Sequence, residues 1–150
     1  MSDEPRWLTA AEMDAWLPLL AVINLLPQAL DQQLRTDAGI SHVYYSMLAL
    51  LSNAPDRTMT MGELARDSFT SPSRLTHAVA SMEKRGWVAR CADPENRRIQ
   101  NVSLTDNGVE LLVRIAPGHV DEVRRRVFDR LSPAQVDQLR DIASTLAEQG

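Results

Sequence analysis

The stretch MGELARDSFTSPSRLTHAVASMEKRGWVARCADPENRRIQNVSL, residues 61–104, decides the fold. At its centre Ser71 precedes Pro72. A hydroxyl that accepts from a free helix amide, followed by a proline whose missing N–H has no partner to lose in the first turn, marks a helix start. Leu75, Ala78, Val79 and Met82 then recur at spacings of three and four, the apolar face of a helix over 71–85, and Gly86 ends it. The opposite face carries Ser71, Ser73, Arg74, Thr76, His77, Ser81 and Lys84. Upstream, residues 61–67 read as a short helix with Leu64 and Ala65 inward, and Ser68, Phe69 and Thr70 as a brief turn. Downstream, residues 87–91 read as a strand, Asp93-Pro94-Glu95-Asn96 as a turn, and residues 99–104 as a second, alternating strand. The pair forms a hairpin whose tip holds Arg97 and Arg98.

Working outward, Thr9 and Glu12 form a capping box at the start of an apolar segment reaching about residue 35. Its apolar residues cover more than one face, which predicts burial on several sides, and Pro18 and Pro27 predict kinks or a break. Residues 16–30, interrupted by Pro18, Asn24, Pro27 and Gln28, read as too short and too broken to span a bilayer. Ser41 starts a second helix to about residue 53, and Thr58-Met59-Thr60 is a short strand. After the hairpin, Thr105 or Asp106 starts a helix that Pro117-Gly118 interrupts or bends. Ser132-Pro133 starts a last one with Val136, Leu139, Ile142 and Leu146 on one face. The order is helix, helix, strand, helix, helix, strand, strand, helix, helix. The expected class is mainly α (α+β): a winged helix-turn-helix over 54–104, flanked by helices of 1–53 and 105–150.

The net charge is −4, but it is unevenly spread. Residues 1–56 carry two Arg and seven Asp/Glu, residues 57–98 eight Lys/Arg and five Asp/Glu, and residues 99–150 six and eight. The positive third coincides with the helix pair and hairpin, which permits a phosphate-binding surface. A helix of this kind fits the major groove, where Arg74 can fork onto a guanine edge. Taken alone, an amphipathic helix with a solvated polar face accounts for 71–85. The hairpin directly after it, with two adjacent arginines suited to minor-groove or phosphate contact, makes the combination more specific.

Enzyme chemistry has no foothold: there is no phosphate-binding glycine loop, no Gly-x-Ser-x-Gly and no His-Glu-x-x-His. No cofactor is expected. His42, His77 and His119 lie far apart in the chain, and with one cysteine no metal cluster has standard spacing. A site from His119 with Asp121 or Glu122 is weighed against solvated side chains, and the latter reading is preferred. The polar, acidic residues 1–6 lack the parts of a signal peptide, so a soluble, cytoplasmic protein without a membrane partner is expected.

Leu64-Ala65, the run from Leu75 through Met82-Glu83-Lys84-Arg85-Gly86-Trp87-Val88-Ala89-Arg90, and Asp93-Pro94-Glu95-Asn96-Arg97-Arg98 followed by Val102-Ser103-Leu104-Thr105-Asp106-Asn107-Gly108 resemble the MarR family of transcriptional regulators. The resemblance covers essentially the whole chain, and the run ending in Leu-Thr-x-x-Gly is its most specific part. It implies a homodimer in which first and last helices interleave, each subunit presenting a winged domain to double-stranded DNA at a palindromic operator. It implies DNA contacts by Ser71, Ser73, Arg74, Thr76, His77, Lys84, Arg97 and Arg98, with Arg98 as the minor-groove arginine. The family's aspartate two residues before that arginine is Asn96 here, so no ion pair forms and a less rigid wing is expected; Asp93 and Glu95 are alternative buttresses. The apolar surface of Trp7, Trp16 and the terminal helices independently suits a second copy.

The resemblance also implies a small aromatic or lipophilic effector in a crevice between lobes, with Trp16, Arg35, His42 and Tyr45 as candidates. Release by such a ligand favours a repressor over an activator. Cys91 reads as a small buried hydrophobe, with a redox role as the alternative. The competing functions are a winged-helix module that binds protein instead of DNA and a thiol-based redox-sensing regulator.

Overall fold

Short polar residues at the helix starts set the element boundaries. The computed structural model describes residues 4–148, so the first three residues of the amino-terminal segment read above lie outside the described residues. Thr9 caps α1 (Ala10–Ala38) with a complete capping box, the Glu12 carboxylate accepting from the Thr9 amide at 2.7 Å. Ser41 caps α2 (His42–Asn53). A 3-10 turn (Pro55–Arg57) leads to β1 (Thr58–Thr60), and Thr60 with Glu63 forms a second capping box on α3 (Met61–Asp67). Ser71 caps α4 (Pro72–Lys84), and β2 (Val88–Ala92) and β3 (Gln100–Leu104) follow. Thr105 caps α5 (Asp106–Arg126), and Ser132 caps α6 (Pro133–Ala147) after a 3-10 turn (Phe128–Arg130). The three strands form an antiparallel sheet in the order β1-β3-β2, with Met59 opposite Val102 and Arg90 opposite Val102 on the other side.

One apolar core runs through the molecule. Leu34 and Ile40 join Met47, Leu48 and Leu51 of α2, Leu64 of α3, Leu75, Val79 and Met82 of α4, Val88 and Val102 of the sheet, and Leu111 and Ile115 of α5. The α2 helix is therefore shared between the terminal helices and the winged unit.

Four expectations are corrected. The prolines do not break α1, which runs unbroken through Pro18 and Pro27 to a left-handed Gly39. Each proline removes one backbone bond, and on so exposed a helix water can satisfy the freed carbonyl while the turns on either side persist. Likewise Pro117 lies inside a continuous α5. The third concerns burial: only Leu30 and Leu34 of α1 are buried in the chain, and Trp16, Leu17, Val22, Ile23 and Leu25 are exposed. As one unbroken helix α1 is also long and apolar enough to cross a membrane by length and composition, contrary to the reading of residues 16–30.

Candidate nucleic-acid interface

The α3 and α4 helices end in the same device with different residues. At the end of α4 the Trp87 amide donates to the Met82 carbonyl and the Gly86 amide to that of Glu83, a Schellman motif with Gly86 at φ +79°. At the end of α3 the Thr70 amide donates to Ala65 and the Phe69 amide to Arg66, the same pair of bonds. Here the left-handed position is Phe69, at φ +54°. Glycine takes this conformation freely, whereas a residue with a Cβ loses about 1–2 kcal/mol. The Phe69 side chain is 95% exposed, the most exposed of the large apolar side chains among the described residues. The sequence reading saw only a turn, because neither glycine nor asparagine marks it.

The turn delivers α4 with its apolar face against the core and its polar face outward. Ser71, Ser73, Arg74, Thr76, His77 and Lys84 are all exposed. Two of these hydroxyls have structural work as well: Ser71 Oγ accepts from the Arg74 amide, and Thr76 Oγ1 donates to the Pro72 carbonyl. Among the described residues, Arg74, Lys84, Arg97 and Arg98 form no salt bridge, whereas Arg57, Arg66 and Arg90 do. The cations of the basic third that form no salt bridge among the described residues thus lie on the outward face of α4 and at the hairpin tip, with Arg85 at the end of α4 held over the Trp87 ring.

Helix and hairpin are coupled. The Glu83 carboxylate accepts the Arg90 amide at 3.0 Å and the Arg90 guanidinium at 3.1 Å, which ties the end of α4 to β2 and holds the carboxyl below the usual carboxylate range. Arg85 stacks 5.0 Å over the Trp87 ring. At the root of α5, Thr105 Oγ1 donates to the Gly86 carbonyl and accepts from the Gly108 amide. The Leu-Thr-x-x-Gly run therefore locks the end of α4, the end of β3 and the start of α5 together.

Asp93 organises the wing. Its Oδ1 accepts from the Glu95 amide at 2.9 Å and the Asn96 amide at 3.1 Å, and its Oδ2 accepts from Asn101 Nδ2 on β3 at 3.2 Å. The Glu95 amide, then Asn101, then the Asn96 amide lower its pKa. Asn96 Oδ1 accepts the Arg98 amide at 3.1 Å, so it shapes the backbone beside the arginine and leaves the guanidinium free among the described residues. Cys91 is exposed, which corrects the expectation of a buried thiol: the outer half of β2 projects beyond the core.

The candidate effector residues fall in two places. His42 and Tyr45 of α2 lie against His119 of α5, with ring centroids 5.5 Å and 4.3 Å from it. Arg35 reaches this group through Asp31, whose carboxylate bonds the guanidinium at 2.6 Å and the His42 amide at 2.9 Å. Trp16 lies 15 residues earlier than Asp31 on α1, about 22 Å along the helix axis. His119 is buried, its Nδ1 3.0 Å from Gln33 Oε1, and Glu122 is buried with Arg125 and Arg126 on its oxygens. The expectation of solvated side chains at His119 and Glu122 is thus overturned, and two histidines read as distant come together. Among the described residues no group of three or more His, Cys, Asp or Glu is placed to hold a metal ion.

Two helices joined by a tight turn and followed by a basic hairpin define a winged helix-turn-helix protein. Residues 38–99 match the model of the MarR family. The fold superposes on Sco3205, a MarR family transcriptional regulator from Streptomyces coelicolor in complex with DNA, with a TM-score of 0.92 at 50% identity, covering 98% of this chain and 92% of that one. AbsC, a MarR family transcriptional regulator from the same organism, gives 0.87 at 35% identity over 97% and 100%. The transcriptional repressor MprA of Escherichia coli (strain K12) is 27% identical over 108 residues, 72% of this chain but only 61% of its own length. The chain belongs to the MarR family of transcriptional regulators.

Proposed function

We propose that this chain is a homodimeric, DNA-binding repressor acting in the cytoplasm on a palindromic operator. The observation that carries the reading is the outward set of unneutralised cations on α4 and the wing, on a fold 50% identical to a regulator solved with DNA. In this arrangement α4 enters the major groove through Ser71, Ser73, Arg74, Thr76, His77 and Lys84. Arg98, with Arg97 beside it, reaches the adjacent minor groove. Residues 54–104 form the DNA-binding lobe. The helices of 1–53 and 105–150 form the dimerisation lobe, α2 serving both. The exposed Leu17, Val22, Ile23 and Leu25 of α1 and Leu139, Ile142 and Leu146 of α6 support a second copy as the partner. Such side chains contribute about 1.5–3 kcal/mol each when buried. A small aromatic or lipophilic ligand between the lobes, near His42, Tyr45 and Arg35, releases the operator; Trp16 lies too far along α1 to share that position in one subunit.

Binding to DNA upstream of its own gene, measured at two salt concentrations, tests the reading. A steep loss of affinity with salt and a palindromic footprint with half-sites about one helical turn apart are expected. Arg98→Ala weakens binding while sedimentation still reports a dimer. Salt-insensitive binding, or none, sinks the DNA reading; an unchanged affinity for Arg98→Ala sinks the wing assignment.

A further inference from the structure

We propose that Phe69 is a sequence-discriminating residue whose ring packs on the C5-methyl group of a thymine at the edge of each half-site. This rests on the DNA-binding reading above and deepens it. Three observations converge. Phe69 stands two residues before the Ser71 cap of α4, at the end of the helix that meets base edges first. Its ring is 95% exposed and so contributes little to the core, and its backbone holds a left-handed conformation that glycine would take without strain. Strained residues of this kind cluster at binding and active sites, which points to a use outside the chain. The backbone that presents the ring is held in place: the Thr70 and Phe69 amides, and Ser68 Oγ donating to the Leu64 carbonyl, fasten the turn to α3.

The surroundings select the occupant. The ring borders an open, mainly apolar cleft with Val43 and Tyr44 of α2 and Ala78 of α4, edged by Ser71, Ser73, Arg74 and His77. An apolar ring amid hydroxyls and a guanidinium matches the edge of a thymine, where a methyl group sits beside hydrogen-bonding atoms and phosphates. The face suited to a second copy lies on α1 and α6, and Phe69 belongs to neither.

The test uses the full chain and a DNA sequence selected by it from a random pool. Each thymine of a half-site is replaced in turn by deoxyuridine, which removes only the methyl group. Wild type loses about fourfold in affinity per half-site at the position the ring contacts, the value of burying one methyl group. Phe69→Ala binds the thymine DNA more weakly and no longer distinguishes uracil from thymine at that position, while keeping any methyl effects elsewhere. Because the side chain is exposed, the variant retains the wild-type fold by circular dichroism. If every methyl effect survives in Phe69→Ala, or if that variant binds as wild type does, the proposal is overturned while the DNA reading stands. If wild type selects no sequence from the pool, the DNA reading fails and takes the proposal with it.

Discussion

A Cβ added at Gly108 would overlap the Trp87 carbonyl oxygen and lie 2.5 Å from Leu104 Cδ1. The glycine of the Leu-Thr-x-x-Gly run is thus required by close approach rather than by its φ. Gly108→Ala is expected to cost about 1–3 kcal/mol as overpacking, lowering the melting temperature by roughly 2–12 °C in a calorimetric scan. The wing gives a second prediction at this scale. Asp93 holds three donors that define the turn before Arg98. Asp93→Ala should weaken operator binding about two- to tenfold, the equivalent of one hydrogen bond, with little change in melting temperature because the site is exposed. An unchanged dissociation constant would show that the wing needs no such buttress. The sequence pointed to Asn96 as the place where this wing departs from its family, and it named Asp93 as one alternative. It could not choose, because which carboxylate meets the turn amides depends on the path of three residues in space.

The turn between α3 and α4 shows what an element can hide. Both α3 and α4 close with the same pair of backbone bonds, but only Gly86 announces it. At Phe69 a side chain occupies the glycine position. Phe69→Gly should raise the melting temperature by roughly 2–4 °C per kcal/mol of relieved strain, less what glycine adds to the entropy of the unfolded chain; a melting temperature below that of Phe69→Ala would show that the left-handed backbone carries no strain. Capping residues made most helix starts legible, since Thr9, Ser41, Ser71, Thr105 and Ser132 each act through a neighbour three residues away, as does Thr60, which reads in the sequence only as the end of a strand. Of the kinks or break expected at Pro18 and Pro27 and the interruption or bend expected at Pro117, no break or interruption occurs. Proline's local preference against helix is real, but long flanking turns carry the helix across it.

Across the whole molecule, the His42–His119 contact joins α2 to α5 within the helices proposed for dimerisation. Burial lowers both histidine pKa values; His42 lowers His119 further, while Asp31 partly opposes the shift at His42. The charged and titratable groups around them are Asp31 and Arg35 on α1, Tyr45 on α2, Asp37 behind Gln33, and Glu122 neutralised by Arg125 and Arg126. In the unfolded chain each histidine titrates near 6.5 and takes up its proton first as pH falls. Their contribution to stability is therefore complete above about 6.5 and declines as pH drops from there toward the lower folded-state values. Melting temperatures followed downward from neutral pH should fall more steeply for wild type than for His119→Gln, and parallel curves would exclude the pair as the cause. Gln33 and His119 are 86 residues apart, a separation no local pattern spans. The sequence by itself determined the order of elements, their caps, the basic recognition helix and the arginine-tipped wing, because each rests on interactions within a few residues. Only the tertiary structure decided that α1 is one exposed helix, that Phe69 stands bare before α4, that Asp93 shapes the wing and that two histidines meet: the histidine contact joins segments far apart in the chain, and the others depend on the path of the backbone and on which faces the core covers.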